Sequence, residues 1–132
     1  MTIRLRRRAQ SEAALQRAVL AHLEARAAPN VFWFHPPNGG VRTRVEGAIL
    51  KGLGVRPGVP DLILFHGGRC YGLELKIVGG RPSPAQRETI TRMERAGVFC
   101  CITEGLDAAL AVLEAWGLLR GRTATADNPS SR

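Results

Sequence analysis

Asp61, Glu74 and Lys76 combine residue types and spacing that could hydrolyse a phosphodiester. Side chains alternate along a strand, so Glu74 and Lys76 share one face while Leu73 and Leu75 point to the other. Asp61 stands thirteen residues before Glu74. If it opens a preceding, hairpin-paired strand, two carboxylates and one ammonium meet in a small volume. Close carboxylates repel unless something positive lies between them. Oxygen ligands from Asp61, Glu74 and the Leu75 carbonyl suit Mg²⁺ or Mn²⁺ better than a softer ion. Lys76 could orient and help deprotonate a water while the ion offsets charge developing on the phosphate. The plainer reading of Glu-x-Lys is a solvated strand face with a cross-strand salt bridge.

The elements that must position these residues follow from periodicity and turn chemistry. Leu15, Val19 and Leu23 form one stripe of a helix from Ser11 to about Ala27, with Ser11 as its N-cap. Val31–Phe34 reads as a first strand, stopped by Pro36-Pro37 and Asn38-Gly39-Gly40. Residues 36–60 are rich in glycine and proline, and carry Arg42, Arg44, Lys51 and Arg56. They read as a shaped basic loop with a short helix near Glu46–Leu50. Asp61–Phe65 and Arg69–Ile77 are strands joined by a His66-Gly67-Gly68 turn. Ser83, Pro84 and Gln86 supply an N-cap, a first-turn proline and a capping-box partner for a helix to about Ala96. Val98–Ile102 is a fourth strand, reached by a helical crossover and so parallel to a neighbour. Leu106, Leu110 and Leu113 mark a last helix ending at Gly117. The expectation is an α/β fold, a small mixed sheet of about four strands flanked by helices in the order α-β-β-β-α-β-α. A basic N-terminal arm spans 1–10, one domain 11–119 and a flexible tail 120–132.

Composition narrows the partners. The net charge is +8, and arginine makes up 17 of the 19 basic residues. Arginine pairs bidentately with phosphate, which favours a polyanion, although an ordinary solubilising surface would give a similar count. No apolar run approaches a membrane span, and the Arg-rich start lacks the apolar core of a secretory signal. Cys70, Cys100 and Cys101 have neither zinc nor disulfide spacing, which suits a reducing, cytoplasmic setting. A bacterial or phage-encoded protein is expected. The glycines at 52, 54 and 58 precede no Gly-Lys-Ser/Thr, so no nucleotide cofactor is expected.

Lys51-Gly52-Leu53-Gly54-Val55-Arg56-Pro57-Gly58-Val59-Pro60-Asp61-Leu62-Ile63, then Gly72-Leu73-Glu74-Leu75-Lys76, then Ser83-Pro84-Ala85-Gln86, resemble the VRR-NUC domain. That family of virus-type replication-repair nucleases belongs to the PD-(D/E)xK superfamily. The resemblance spans roughly residues 11–117 and departs after Lys76, where Ile77-Val78-Gly79-Gly80-Arg81 replaces a more polar segment. It implies a restriction-endonuclease-like fold, Mg²⁺ or Mn²⁺ dependence and cleavage of Holliday or other branched DNA junctions. By matching position it makes Asp61 and Glu74 metal ligands, Lys76 the catalytic lysine, Gln86 a supporting residue and Glu12 an acidic group reaching the site. Asn38 lies in a loop that also resembles the family, as a DNA contact beside Arg42, Arg44, Lys51 and Arg56.

Two of these roles have complete structural alternatives. Gln86 is explained by capping alone, and Glu12 by an acidic residue's preference for a helix's first turn. A junction needs two symmetric cuts and one site makes one, so a two-fold homodimer is expected. The alternatives are a sequence-reading restriction-type or nicking enzyme, and a DNA-binding module without catalysis.

Overall fold

The computed structural model describes residues 3–37 and 43–121, without the side chains of 5, 6, 9 and 10. Among them the chain runs α1 (Ile3–Arg26), β1 (Phe32–Phe34), α2 (Arg44–Gly52), β2 (Leu62–His66), β3 (Arg69–Lys76), α3 (Pro84–Arg95), β4 (Phe99–Glu104) and α4 (Leu106–Ala115). The four strands form one mixed sheet in the order β1-β2-β3-β4. β1 and β3 both lie antiparallel to β2, whereas β4 is parallel to β3 after the α3 crossover. The expected α/β arrangement is present, and the short helix foreseen in the basic loop is the longer α2.

Register in the β2–β3 hairpin comes from its turn and its buried face. Gly67 and Gly68 have φ of 59° and 80°, the left-handed pair a two-residue hairpin turn requires. Leu62 therefore faces Leu73, and Leu64 faces Tyr71. These four, with Leu75, form one side of the core against Val19 and Leu23 of α1 and Leu110 and Leu113 of α4. A one-residue slip would expose all of them, so burial fixes the pairing. The ends of α1 and α4 are tied by Arg26, whose Nη1 donates to Glu114 at 2.8 Å, and by an Ala27–Leu119 bridge.

α1 corrects the expectation at Ser11. The helix begins at Ile3, so Ser11 is an exposed interior residue and not a cap. Nothing from Arg4 to Gln10 breaks a helix, and the arginines and alanine there are good helix formers. Arg120, assigned to the tail, donates its N–H to the Arg26 carbonyl at 2.9 Å. Asn38 and Arg42 lie outside the described residues. No described helix is long and apolar enough to cross a membrane.

Candidate active site

The hairpin register that buries the leucines also determines where the carboxylates meet. Continuing the Leu62–Leu73 pairing by one step sets Asp61 opposite Glu74. One Asp61 carboxylate oxygen accepts the Leu75 N–H at 2.9 Å, which locks its side chain onto β3. A strand residue's carbonyl leaves on the same side as its N–H, so the Leu75 carbonyl also faces Asp61. His35, just past β1, has Nδ1 at 2.6 Å from the Asp61 carbonyl. A carbonyl can only accept, so Nδ1 carries the proton and His35 braces the Asp61 main chain.

Glu74 is almost wholly buried, at 2% exposure. Its Oε2 accepts from Lys76 Nζ at 3.0 Å and from Gln86 Nε2 at 3.0 Å. Its Oε1 is buried with no hydrogen-bond partner. Burial, and after it the negative charge of Asp61, push the Glu74 carboxyl up to about 7, against the pull of the Lys76 ammonium. An anion held at such a position needs more positive charge than Lys76 alone supplies.

Gln86 makes the contacts of both roles the sequence leaves open. Its Oε1 accepts the Ser83 N–H at 2.8 Å while Ser83 Oγ accepts the Gln86 N–H at 3.1 Å, a complete capping box. The same Oε1 accepts from Lys76 Nζ at 2.9 Å, and Nε2 holds Glu74. One side chain thus caps α3 and bonds both Lys76 and Glu74. The N-terminus of α3 is seated by Gly58, where a Cβ would lie 2.4 Å from the Ala85 carbonyl oxygen at a φ of +82°. Only glycine allows the loop entering β2 to pass that close.

Asp61, Glu74, Leu75, Lys76 and Gln86 line one cleft of about 640 Å³, and Glu12, Gln16 and His35 form part of its wall. Glu12 is exposed, with Arg8 Nε 3.6 Å from its carboxylate. Because α1 starts at Ile3, Glu12 falls in its third turn, and the first turn holds no acidic residue. Attraction to the helix dipole fades beyond the first turn, which removes that explanation for Glu12. Arg44, Lys51 and Arg56 are exposed on α2 and the loop after it, and Lys51 and Arg56 border a recess shared with Pro57 of the cleft wall. The His35 brace and Gln16 escaped sequence reasoning. Gln16 had a signal, lying one helical turn beyond Glu12 on the same face.

Among the described residues no group of three or more His, Cys, Asp and Glu side chains is clustered to hold a metal. Two carboxylates and a main-chain carbonyl nevertheless fit a hard cation such as Mg²⁺, which keeps several waters and needs few protein ligands. The partnerless Oε1 of Glu74, beside a second carboxylate, is a polar atom that such an ion would satisfy.

No protein-family model matches the chain, nor does any curated protein sequence. Its fold is similar to that of solved structures. A VRR_NUC domain protein superposes with a TM-score of 0.68 at 23% identity, covering 80% of this chain and 86% of that one. A second structure, a VRR_NUC domain, gives a TM-score of 0.55 at 17% identity over 80% of this chain and 96% of its own. At these identities the likeness shows shared architecture, and the chain therefore has the fold seen in VRR_NUC domain structures.

Proposed function

We propose that this protein is a divalent-metal-dependent endonuclease that hydrolyses DNA phosphodiesters, with Holliday or other branched junctions as its substrates. The observation that carries the reading is the pairing of Asp61 with a buried Glu74 whose Oε1 has no partner while Lys76 and Gln86 hold its Oε2. Asp61, Glu74 and the Leu75 carbonyl would hold Mg²⁺ or Mn²⁺, which when bound would polarise the phosphate and acidify a water. Lys76 orients that water and carries positive charge towards the scissile phosphate. Gln86 keeps Lys76 and Glu74 in register, and Glu12 closes the cleft from α1 as a third acidic group. Arg44, Lys51 and Arg56, with Asn38 and Arg42 of the preceding loop, contact the DNA backbone. VRR_NUC domain structures share the fold, which agrees with this assignment. Two chains related by a two-fold axis would make the opposed cuts a junction requires, in a cytoplasmic setting.

The test is a cleavage panel of linear duplex, flap, splayed arm and four-way junction, each with Mg²⁺, Mn²⁺ or chelator. Junction cutting that needs the metal is expected. No product on any substrate would overturn the nuclease reading, and equal rates on duplex and junction would overturn the branched-DNA preference. Light scattering with and without junction DNA tests the dimer.

A further inference from the structure

Beside the acidic cleft lies a second one of about 380 Å³, with a different character. Its walls include Phe34, Pro36, Leu50, Val55 and Ile63, and Arg56 stands at its edge. Val59 lines both clefts, so they adjoin at that residue. Phe34 leads directly into His35, which braces Asp61, so the aromatic wall continues to the Asp61 end of the hairpin. Phe34 is 42% exposed, and its ring lies 10° from parallel to Phe65 with centroids 6.5 Å apart. Cores bury phenylalanines, and an aromatic surface open to solvent next to a reactive site is the arrangement that takes planar ligands.

We infer that this cleft receives one unpaired nucleobase of the strand whose phosphate lies at Asp61 and Glu74. Two observations select this occupant. The cleft adjoins the acidic cleft at Val59, so a nucleotide next to the scissile phosphate lies beside it. Its lining carries a cation, Arg56, and Lys51 joins Arg56 in the adjoining recess, which matches the phosphate backbone attached to the base. A second copy of the chain docking here two-fold would set Lys51 and Arg56 against themselves, which like charges oppose. The inference rests on the nucleic-acid reading above and gives a physical basis for branch preference. A perfect duplex must first spend stacking and pairing energy to present a base, whereas a junction or bulge presents one already free.

The experiment measures binding in chelator, so that it reads the cleft whether or not the protein cuts. The probes are a fully paired duplex and the same duplex carrying one unpaired 2-aminopurine. Base–aromatic stacking predicts about tenfold tighter binding of the unpaired probe, with a rise in 2-aminopurine emission as the base leaves its neighbours. Phe34→Leu removes the ring but stays apolar, and Val55→Glu puts a charge in the cleft. Each is expected to erase the preference while circular dichroism and urea unfolding show a folded protein. Equal affinity of the wild type for both probes, or a preference untouched by both variants, overturns the inference. So does a dimer in sedimentation that Phe34→Leu dissociates, since a second copy would then occupy the cleft. Tight binding of the unpaired base without cleavage in Mg²⁺ or Mn²⁺ would sink the nuclease reading and retain this one.

Discussion

The floor of the acidic cleft and the segment that precedes it in sequence are built on opposite principles. On the floor, Asp61, Glu74, Lys76 and Gln86 are cross-linked by hydrogen bonds of 2.9–3.0 Å between β2, β3 and α3. The core behind β3 then fixes their register. α2 is capped at both termini yet has no buried residue, and it turns Val45, Ile49 and Leu53 outward. Capping satisfies its ends, so the helix forms without being packed onto the core. Reacting groups must be held to a fraction of an ångström, whereas backbone contacts to a polymer tolerate adjustment. Rigidity is concentrated where chemistry is proposed, and basic charge sits on the loosely anchored segment.

The sharpest way to break this contrast is to alter the floor. Glu74→Gln keeps an acceptor for Lys76 but removes the anion, and cleavage should fall by roughly a thousandfold, as should Lys76→Ala. A folded Glu74→Gln protein that cuts at the wild-type rate would refute the metal site. Asp61→Asn should weaken Mn²⁺ binding in a calorimetric titration. Next in size is the split between the two roles of Gln86. Ser83→Ala removes only the cap and should cost about 1 kcal/mol of stability with little change in rate. Gln86→Ala loses the cap and also frees Lys76 and Glu74, so the rate should drop about tenfold or more beyond what the stability loss explains. Equal rates for the two variants would reduce Gln86 to a capping residue.

Glycines on either side of the boundary give a smaller, purely structural comparison. Gly54 and Gly58 both have positive φ, at 95° and 82°, but a Cβ on Gly54 meets nothing within 4 Å while one on Gly58 strikes the Ala85 main chain. Gly54→Ala should cost about 1–2 kcal/mol of backbone strain alone. Gly58→Ala should cost more, and should slow cleavage by moving the start of α3. Urea unfolding of both proteins decides it, and similar losses would show that the close approach is unimportant.

The floor also carries a pH effect. Glu74 titrates near 7 when folded and near its ordinary 4.5 when unfolded, so the folded state holds that proton more tightly. Its contribution to stability is therefore complete below about 4.5 and is lost as pH rises through about 7. Without metal, the wild type should lose stability relative to Glu74→Gln over that window. Mg²⁺ or Mn²⁺ should restore it above pH 7, because the ion binds only the deprotonated carboxylate. Parallel stability curves for the two proteins would show that Glu74 is not so perturbed.

The sequence made the hairpin legible because its signals were local and redundant. Leucines alternate with Glu74 and Lys76, a Gly-Gly turn joins the strands, and Ser83 with Gln86 announces the α3 cap. The start of α1 was illegible because nothing between Ile3 and Ser11 interrupts a helix, whereas Ser11 offers a cap signal that went unused. That boundary takes Glu12 out of the first turn and sets it one turn from Arg8, its ion-pair partner. The His35–Asp61 bond joins residues 26 apart, and the cleft between Phe34 and Val55 joins β1 to the loop after α2. Such contacts come from the tertiary fold and leave no periodicity to read.

The smallest expected effects lie on the basic segment, and they test whether its charge acts as a loose, additive surface. Arg44, Lys51 and Arg56 are exposed and spread over α2 and its following loop. If each neutralises one phosphate, its replacement by Gln should lower the slope of log affinity against log salt by about one unit. Affinity should fall similarly for every DNA sequence, since phosphate contacts carry no base information. Because the three residues do not share the bonded network of the floor, their losses should add, unlike those of Glu74, Lys76 and Gln86, which should not. Filter binding of the three single variants and the triple at four salt concentrations would check both statements. A flat salt dependence in the wild type would remove the basic segment from the DNA interface, and strong non-additivity would mean that it is held as tightly as the site it precedes.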